Sequence, residues 1–179
     1  MNAMATHDSK TLGVTAARDG YSGLQIALHW IIAALVVTQL LNNGGMQDAW
    51  NAYEDGAPMP QGALGWAWFH ALTGATILVL ALARLYVRLT RGAPPVHHDK
   101  PLVLVWLAYA THFVLYGFII VMPLTGALAW FFGVEASAEV HETGKLLLIP
   151  LVALHAIGGL TEHFWFRNDS LVRMLRPKR

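Results

Sequence analysis

Four stretches of this chain carry no charged residue at all: 24–41, 63–83, 101–134 and 146–161, of 18, 21, 34 and 16 residues. Beyond the fourth, apolar character continues to Phe166 with only Glu162 intervening. A membrane-spanning helix needs about 20 predominantly apolar residues. In lipid, each span must also satisfy its own backbone hydrogen bonds. The pattern therefore predicts an all-α membrane protein, a four-helix transmembrane bundle with spans over about 22–41, 63–88, 101–130 and 139–166. These lie within one domain, residues 21–179, preceded by a tail over 1–20. Only 13% of residues are charged, about half the share in soluble domains. The first stretch starts some twenty residues in and has no small-residue cleavage site before Asn42, so it reads as a span rather than a signal peptide. The third is too long for one straight crossing. It is expected to kink near Pro123, or to leave the bilayer at Trp130, Phe131 and Phe132, residues suited to an interface belt.

Orientation follows from lysine and arginine, which concentrate on the cytoplasmic side. Eleven of the twelve fall before the first span, between the second and third, or after the fourth. Only Lys145 lies on the other side, together with Asp48, Glu54, Asp55, Glu135, Glu139 and Glu142. Both termini are thus expected in the cytoplasm, with an acidic outer face. The 42–61 connection, rich in Gly, Asn and Pro, reads as the longest outer loop. No charge run is long enough for a nucleic-acid partner, and none is expected. With no cysteine, disulfides, thiolate metal sites, iron–sulfur clusters and covalent c-type haem are excluded.

Nine histidines are present. His7, His97, His98 and His163 fall in the tail, a loop or a span end and read as solvated. His29, His70, His112, His141 and His155 lie in or at the edge of spans, where ionisable groups are costly and usually functional. His141 and His155 are 14 residues apart on one span. That is nearly four full turns, so both project from almost the same face, about 21 Å apart along the axis. One face with two ligands too distant for one metal implies two sites at different depths. Spans alternate in direction, so depth pairs His70 with His141 near the outside and His29 with His155 towards the inside. Ser137 is a candidate N-cap that would place His141 in a first helical turn.

Two facing imidazoles per site suit a six-coordinate haem iron, whose porphyrin supplies the other four nitrogens. Zinc would ask for three or four protein ligands at each site. A flat macrocycle needs room, and Gly74, Gly144, Gly158 and Gly159 fall three or four residues after ligand candidates, on the same helical face. The same glycines would equally allow close helix packing.

The stretch Tyr21-Ser-Gly-Leu-Gln-Ile-Ala-Leu-His29-Trp30 resembles the first-helix signature of the bacterial cytochrome b561 family. So do Phe69-His70-Ala-Leu-Thr-Gly74, Arg84 through Pro95, the His112 helix, His141-Glu142-Thr143, Leu154-His155-Ala156 and Ser170-Leu-Val-Arg-Met, in order and with similar spacing. The resemblance implies four helices in the bacterial inner membrane, two non-covalent b haems, and electron exchange with the ubiquinone pool. Its axial ligands fall on His29, His70, His141 and His155. Related members serve as cytochrome b subunits of larger dehydrogenases, which allows a periplasmic or membrane redox partner protein. Others are superoxide oxidases reducing ubiquinone. Those are expected to present a positive outer surface, and the acidic face here argues against superoxide as donor. A proton or metal transporter using the histidines without haem is the remaining class.

His112 has no depth partner left over. It is expected about 16 Å into the third span, as a quinone contact, a haem propionate partner or a polar bond between helices. Arg84 either snorkels to the interface or binds a propionate of the inner haem. Lys145 could serve the outer haem likewise. Glu142 is solvated or accepts a hydrogen bond from an imidazole. Trp30 and Tyr116 read as packing residues.

Overall fold

The computed structural model describes residues 20–94 and 101–177. Among them the order is α1 (Gly23–Leu41), α2 (Gly44–Glu54), α3 (Ala63–Arg91), α4 (Leu102–Phe132), α5 (Glu135–Phe164) and α6 (Ser170–Arg173). No strand occurs among the described residues. Helices α1, α3, α4 and α5 are each long and apolar enough to cross a membrane. Much of their surface is exposed aliphatic and aromatic side chain, such as Val79, Trp106, Phe113 and Ile157. Such a surface needs lipid as its solvent, and this is a multi-pass membrane protein.

Local chemistry sets the helix ends. Ser22 caps α1, its hydroxyl accepting from Gln25 N–H while the Gln25 side chain accepts from Ser22 N–H, a capping box. Helix α3 ends with Arg88 and Arg91 in its last turn, where cations meet the negative end of the helix dipole. At the end of α4, Gly133 adopts φ +64°, and its N–H reaches Ala129 O at 3.0 Å. Glycine takes this left-handed conformation without the penalty of a Cβ. The turn reverses the chain within two residues, so α5 starts at Glu135 and α4–α5 is a tight helical hairpin.

That turn corrects one expectation. Ser137 is not an N-cap. It sits inside α5, buried, with its hydroxyl donating to Thr125 O of α4 at 2.8 Å. For the long third span, α4 continues past Pro123. It runs through the proline for 31 residues, about 46 Å, against a hydrocarbon core of about 30 Å. Its ends therefore reach beyond the core, with Phe131 and Phe132 exposed.

The 42–61 segment is also more ordered than its composition implies. Met46, Ala49, Trp50 and Tyr53 follow the i, i+3, i+4, i+7 pattern of an amphipathic helix, and α2 forms there. It lays Ala49 and Trp50 against the bundle, with Ala49, Ala63 and Ala67 forming a small-residue seam to α3. A second core of Ile32, Val36, Ile77 and Ala81 joins α1 to α3.

Helix α1 packs on α3, α3 on α4 and α4 on α5. Neither α1 nor α3 packs extensively on α5. The start of α1 is tied to the end of α3 by Gln25 Nε2 donating to Gly92 O at 3.0 Å. It is tied to the α6 region by Trp30 Nε1 donating to Met174 O at 2.7 Å. These bonds gather Arg84, Arg88, Arg91, Arg167, Arg173 and Arg176 at one end of the bundle, the basic end. Asp48, Glu54, Asp55, Glu135, Glu139 and Glu142 occupy the other, acidic end.

A Cβ on Gly45 would lie 2.5 Å from Trp66 Cβ, so α2 can seat on α3 only with glycine there. Gly45→Val should cost about 1–3 kcal/mol, the usual cost of overpacking, and free α2 from α3. Thermal denaturation in detergent and faster proteolysis around residue 50 would report it.

Candidate functional site

All five span histidines are half-buried and turned into the bundle. At the acidic end, His70 of α3 and His141 of α5 have ring centroids 6.1 Å apart with planes at 71°. At the basic end, His29 of α1 and His155 of α5 are 6.0 Å apart at 73°. Both spacings bridge helices that do not pack closely on each other.

Metal–imidazole bonds are about 2.0 Å long, and a ring centroid lies about 1.1 Å behind its nitrogen. Two imidazoles on opposite sides of one iron therefore have centroids about 6 Å apart, as in both pairs. A flat macrocycle between them needs a gap between helices, and the gaps fall where these rings face each other. At the acidic end the gap is a cavity of about 250 Å³ with mostly apolar walls, lined by His70, His141, Gly74, Gly126, Trp50 and Lys145 among others. Among the described residues, no three His, Asp or Glu side chains converge to hold a bare metal ion. At the acidic end the ring spacing and the cavity fit a haem, and at the basic end the ring spacing does.

The basic end holds a third imidazole that depth counting left unpaired. His112 of α4 lies 5.0 Å from His155, ring edge to ring face at 88°. This is shorter than an iron between two rings requires. Its depth was legible after all: it is ten residues into α4 and His155 nine before the end of α5, both about 14–15 Å. Its Nδ1 lies 2.6 Å from Ala108 O. A carbonyl can only accept, so Nδ1 carries the proton and Nε2 the lone pair.

Arg84 does not snorkel. Its guanidinium turns inward, Nη1 donating to Gln25 O at 2.9 Å and Nε to the Tyr116 hydroxyl at 3.2 Å. It thereby clamps α1, α3 and α4 beside the basic-end imidazoles, with Tyr116 supplying the hydroxyl on α4.

At the acidic end His141 Nδ1 lies 2.8 Å from Met122 O and 3.3 Å from Thr125 Oγ. His70 is held differently. Its backbone carbonyl accepts from Gln39 Nε2 at 2.8 Å, while its Nδ1 and Gln39 Oε1 are buried without a hydrogen-bond partner among the described residues. Lys145 and Glu142 both line the cavity. Glu142 also lines an adjoining polar groove with Glu54, Glu135 and Glu139.

The glycines divide. Gly74 lines the cavity, its Cβ position 3.4 Å from Gln39 Nε2. Gly144 instead serves helix packing, because Met122 Sδ of α4 occupies the space its Cβ would need. Gly158 and Gly159 face open space. The glycine that sequence offsets missed is Gly126, whose Cβ would lie 2.9 Å from His141 Cε1. It touches that ring from the neighbouring helix, so no local spacing rule could find it.

A lipid-embedded helical bundle whose interior carries facing imidazoles spaced for iron is the architecture of a membrane cytochrome b. The chain belongs to the prokaryotic cytochrome b561 family, whose model matches residues 20–177. It is 30% identical to cytochrome b562 of Cereibacter sphaeroides, over 89% of this chain and 97% of that protein. It is 29% identical to the probable superoxide oxidase CybB of Yersinia pestis, with the same coverage. Membership implies haem b and membrane electron transport.

Gly126→Ala should push the His141 ring out of place and lower the haem bound per chain. Gly158→Ala, where a Cβ meets nothing, should leave it unchanged. Pyridine haemochrome assay of the two purified variants would check both.

Proposed function

We propose that the protein carries electrons across the membrane through two b haems, one held by His29 and His155 and one by His70 and His141, and exchanges them with the quinone pool. The observation that carries this is the pair of imidazole spacings, 6.0 and 6.1 Å, across unpacked helix interfaces. Each haem, when bound, supplies a one-electron carrier. The chain's own residues orient the imidazoles, exclude water with apolar walls, and set the electrostatics around each site. The eleven-to-one division of Lys and Arg supports cytoplasmic termini, which makes the basic end the inner one. There Arg84, Tyr116 and His112 offer polar contacts for a propionate or a quinone carbonyl. Lys145 offers one to the outer haem.

A second reading, superoxide:ubiquinone oxidoreductase, is favoured by the name of the Yersinia pestis relative. The surroundings of the acidic-end cavity weigh against it. Glu54, Glu135, Glu139 and Glu142 line the adjoining groove, and like charge slows the encounter of an anion with a surface.

Alanine in place of His29, His70, His141 or His155 should each remove one haem or turn it high-spin, whereas His112→Ala should keep two low-spin haems. Reduced-minus-oxidised spectra, with dithionite and then with a quinol, would show this. Retention of both low-spin signals after His155→Ala would sink the pairing. Stopped-flow reduction by superoxide should be slow at low ionic strength and quicken as salt shortens the screening length to about 8 Å at 0.15 M. A fast rate that falls with salt would instead establish the superoxide reading.

A further inference from the structure

The His141 imidazole is held by more than a ligand needs for burial. Its Nδ1 faces Met122 O at 2.8 Å, so Nδ1 carries the proton and Nε2 keeps the lone pair that can bind a metal. The Thr125 hydroxyl lies 2.9 Å from the same carbonyl and 3.3 Å from Nδ1. Donating to Met122 O, it turns its own lone pairs to the Nδ1–H, which then has two acceptors. Thr125 is itself tied across the helix pair, its carbonyl accepting from the Ser137 hydroxyl at 2.8 Å. Ser137 is buried, one turn before His141 on α5, and caps nothing. Gly126 closes the other side, leaving the ring no room to turn towards α4. His70, across the cavity, has no such partner for its Nδ1 among the described residues.

We propose that Thr125, seated by Ser137, is a positioning residue for His141, orienting its imidazole towards the acidic-end haem through the shared Met122 O and Nδ1–H contacts. The inference rests on His141 being an axial ligand. Partners of a ligand's far nitrogen fix its tautomer and ring plane, and losing one typically costs about 10–100-fold in metal-site affinity.

Thr125→Val keeps the side-chain shape and removes the hydroxyl. In the full-length protein with haem bound, it should release one haem to apomyoglobin about tenfold faster and shift that haem's ferric low-spin EPR signal as the ring plane rotates. The other haem should be unaffected. Thr125→Ser should restore both readouts, and Ser137→Ala should shift them less, in the same direction. His141→Ala identifies the signal concerned by abolishing it. Wild-type release and EPR in Thr125→Val, or equal loosening of both haems, would overturn the positioning role while leaving the ligand assignment standing. Two intact low-spin haems in His141→Ala would overturn the ligand assignment itself.

Discussion

The architecture turns on two imidazole pairs that stand where helices would otherwise close on each other. Lipid offers no hydrophobic force to bring helices together, so membrane bundles associate through small-residue contacts and polar bonds. Here those contacts join α1 to α3 through Ala81, α3 to α4 through the Arg84–Tyr116 bond, and α4 to α5 through the Gly144–Met122 contact and the Ser137–Thr125 bond. The faces between α5 and its two remaining neighbours are left apart by about the width of two rings and a metal. Each polar bond adds only about 0.6 kcal/mol on average. A group bound across both gaps would therefore contribute to holding the bundle as well as to its chemistry.

The four spans were legible because charge is so costly in lipid that its absence marks each one. That His29 would lie near His155 and His70 near His141 was legible as well, since helical rise converts sequence position into depth. Contacts that depend on how neighbouring helices are rotated against each other were not. Gly126 touches His141 across 15 residues of sequence, and Arg84 reaches Gln25 and Tyr116 on two other helices. Ser137 misled for a related reason. Its residue type suits a cap, but the left-handed Gly133 starts the helix earlier and releases the hydroxyl to α4. Helix α2 was hidden by composition, because glycine and asparagine at its start obscured the four apolar positions behind them.

The two ends differ in how they are closed. The basic end is knit by hydrogen bonds: Gln25 to Gly92, Arg84 to Gln25 and Tyr116, Trp30 to Met174. The acidic end is covered by α2, held by an alanine seam and the Gly45–Trp66 contact, with an acidic groove beside it. Helix α2 contributes Met46, Gln47 and Trp50 to the lining of the His70–His141 cavity, so an 11-residue helix forms part of its wall beside the transmembrane spans.

One helix supplies an imidazole to each pair. His141 and His155 share α5, so their separation is set by helical rise, about 21 Å over 14 residues, whatever the partner helices do. Changes in how α1 or α3 leans can alter a ring angle or a gap width, but they cannot move one site relative to the other along α5. Helix α4 reinforces this by packing along α5 and touching both sites, through Met122 and Thr125 at the acidic end and His112 at the basic end. The α4–α5 hairpin, fastened at its turn by Gly133 and across its length by Ser137 and Met122, is therefore the common frame of both imidazole pairs. Helices α1 and α3 bring the opposing imidazoles to it.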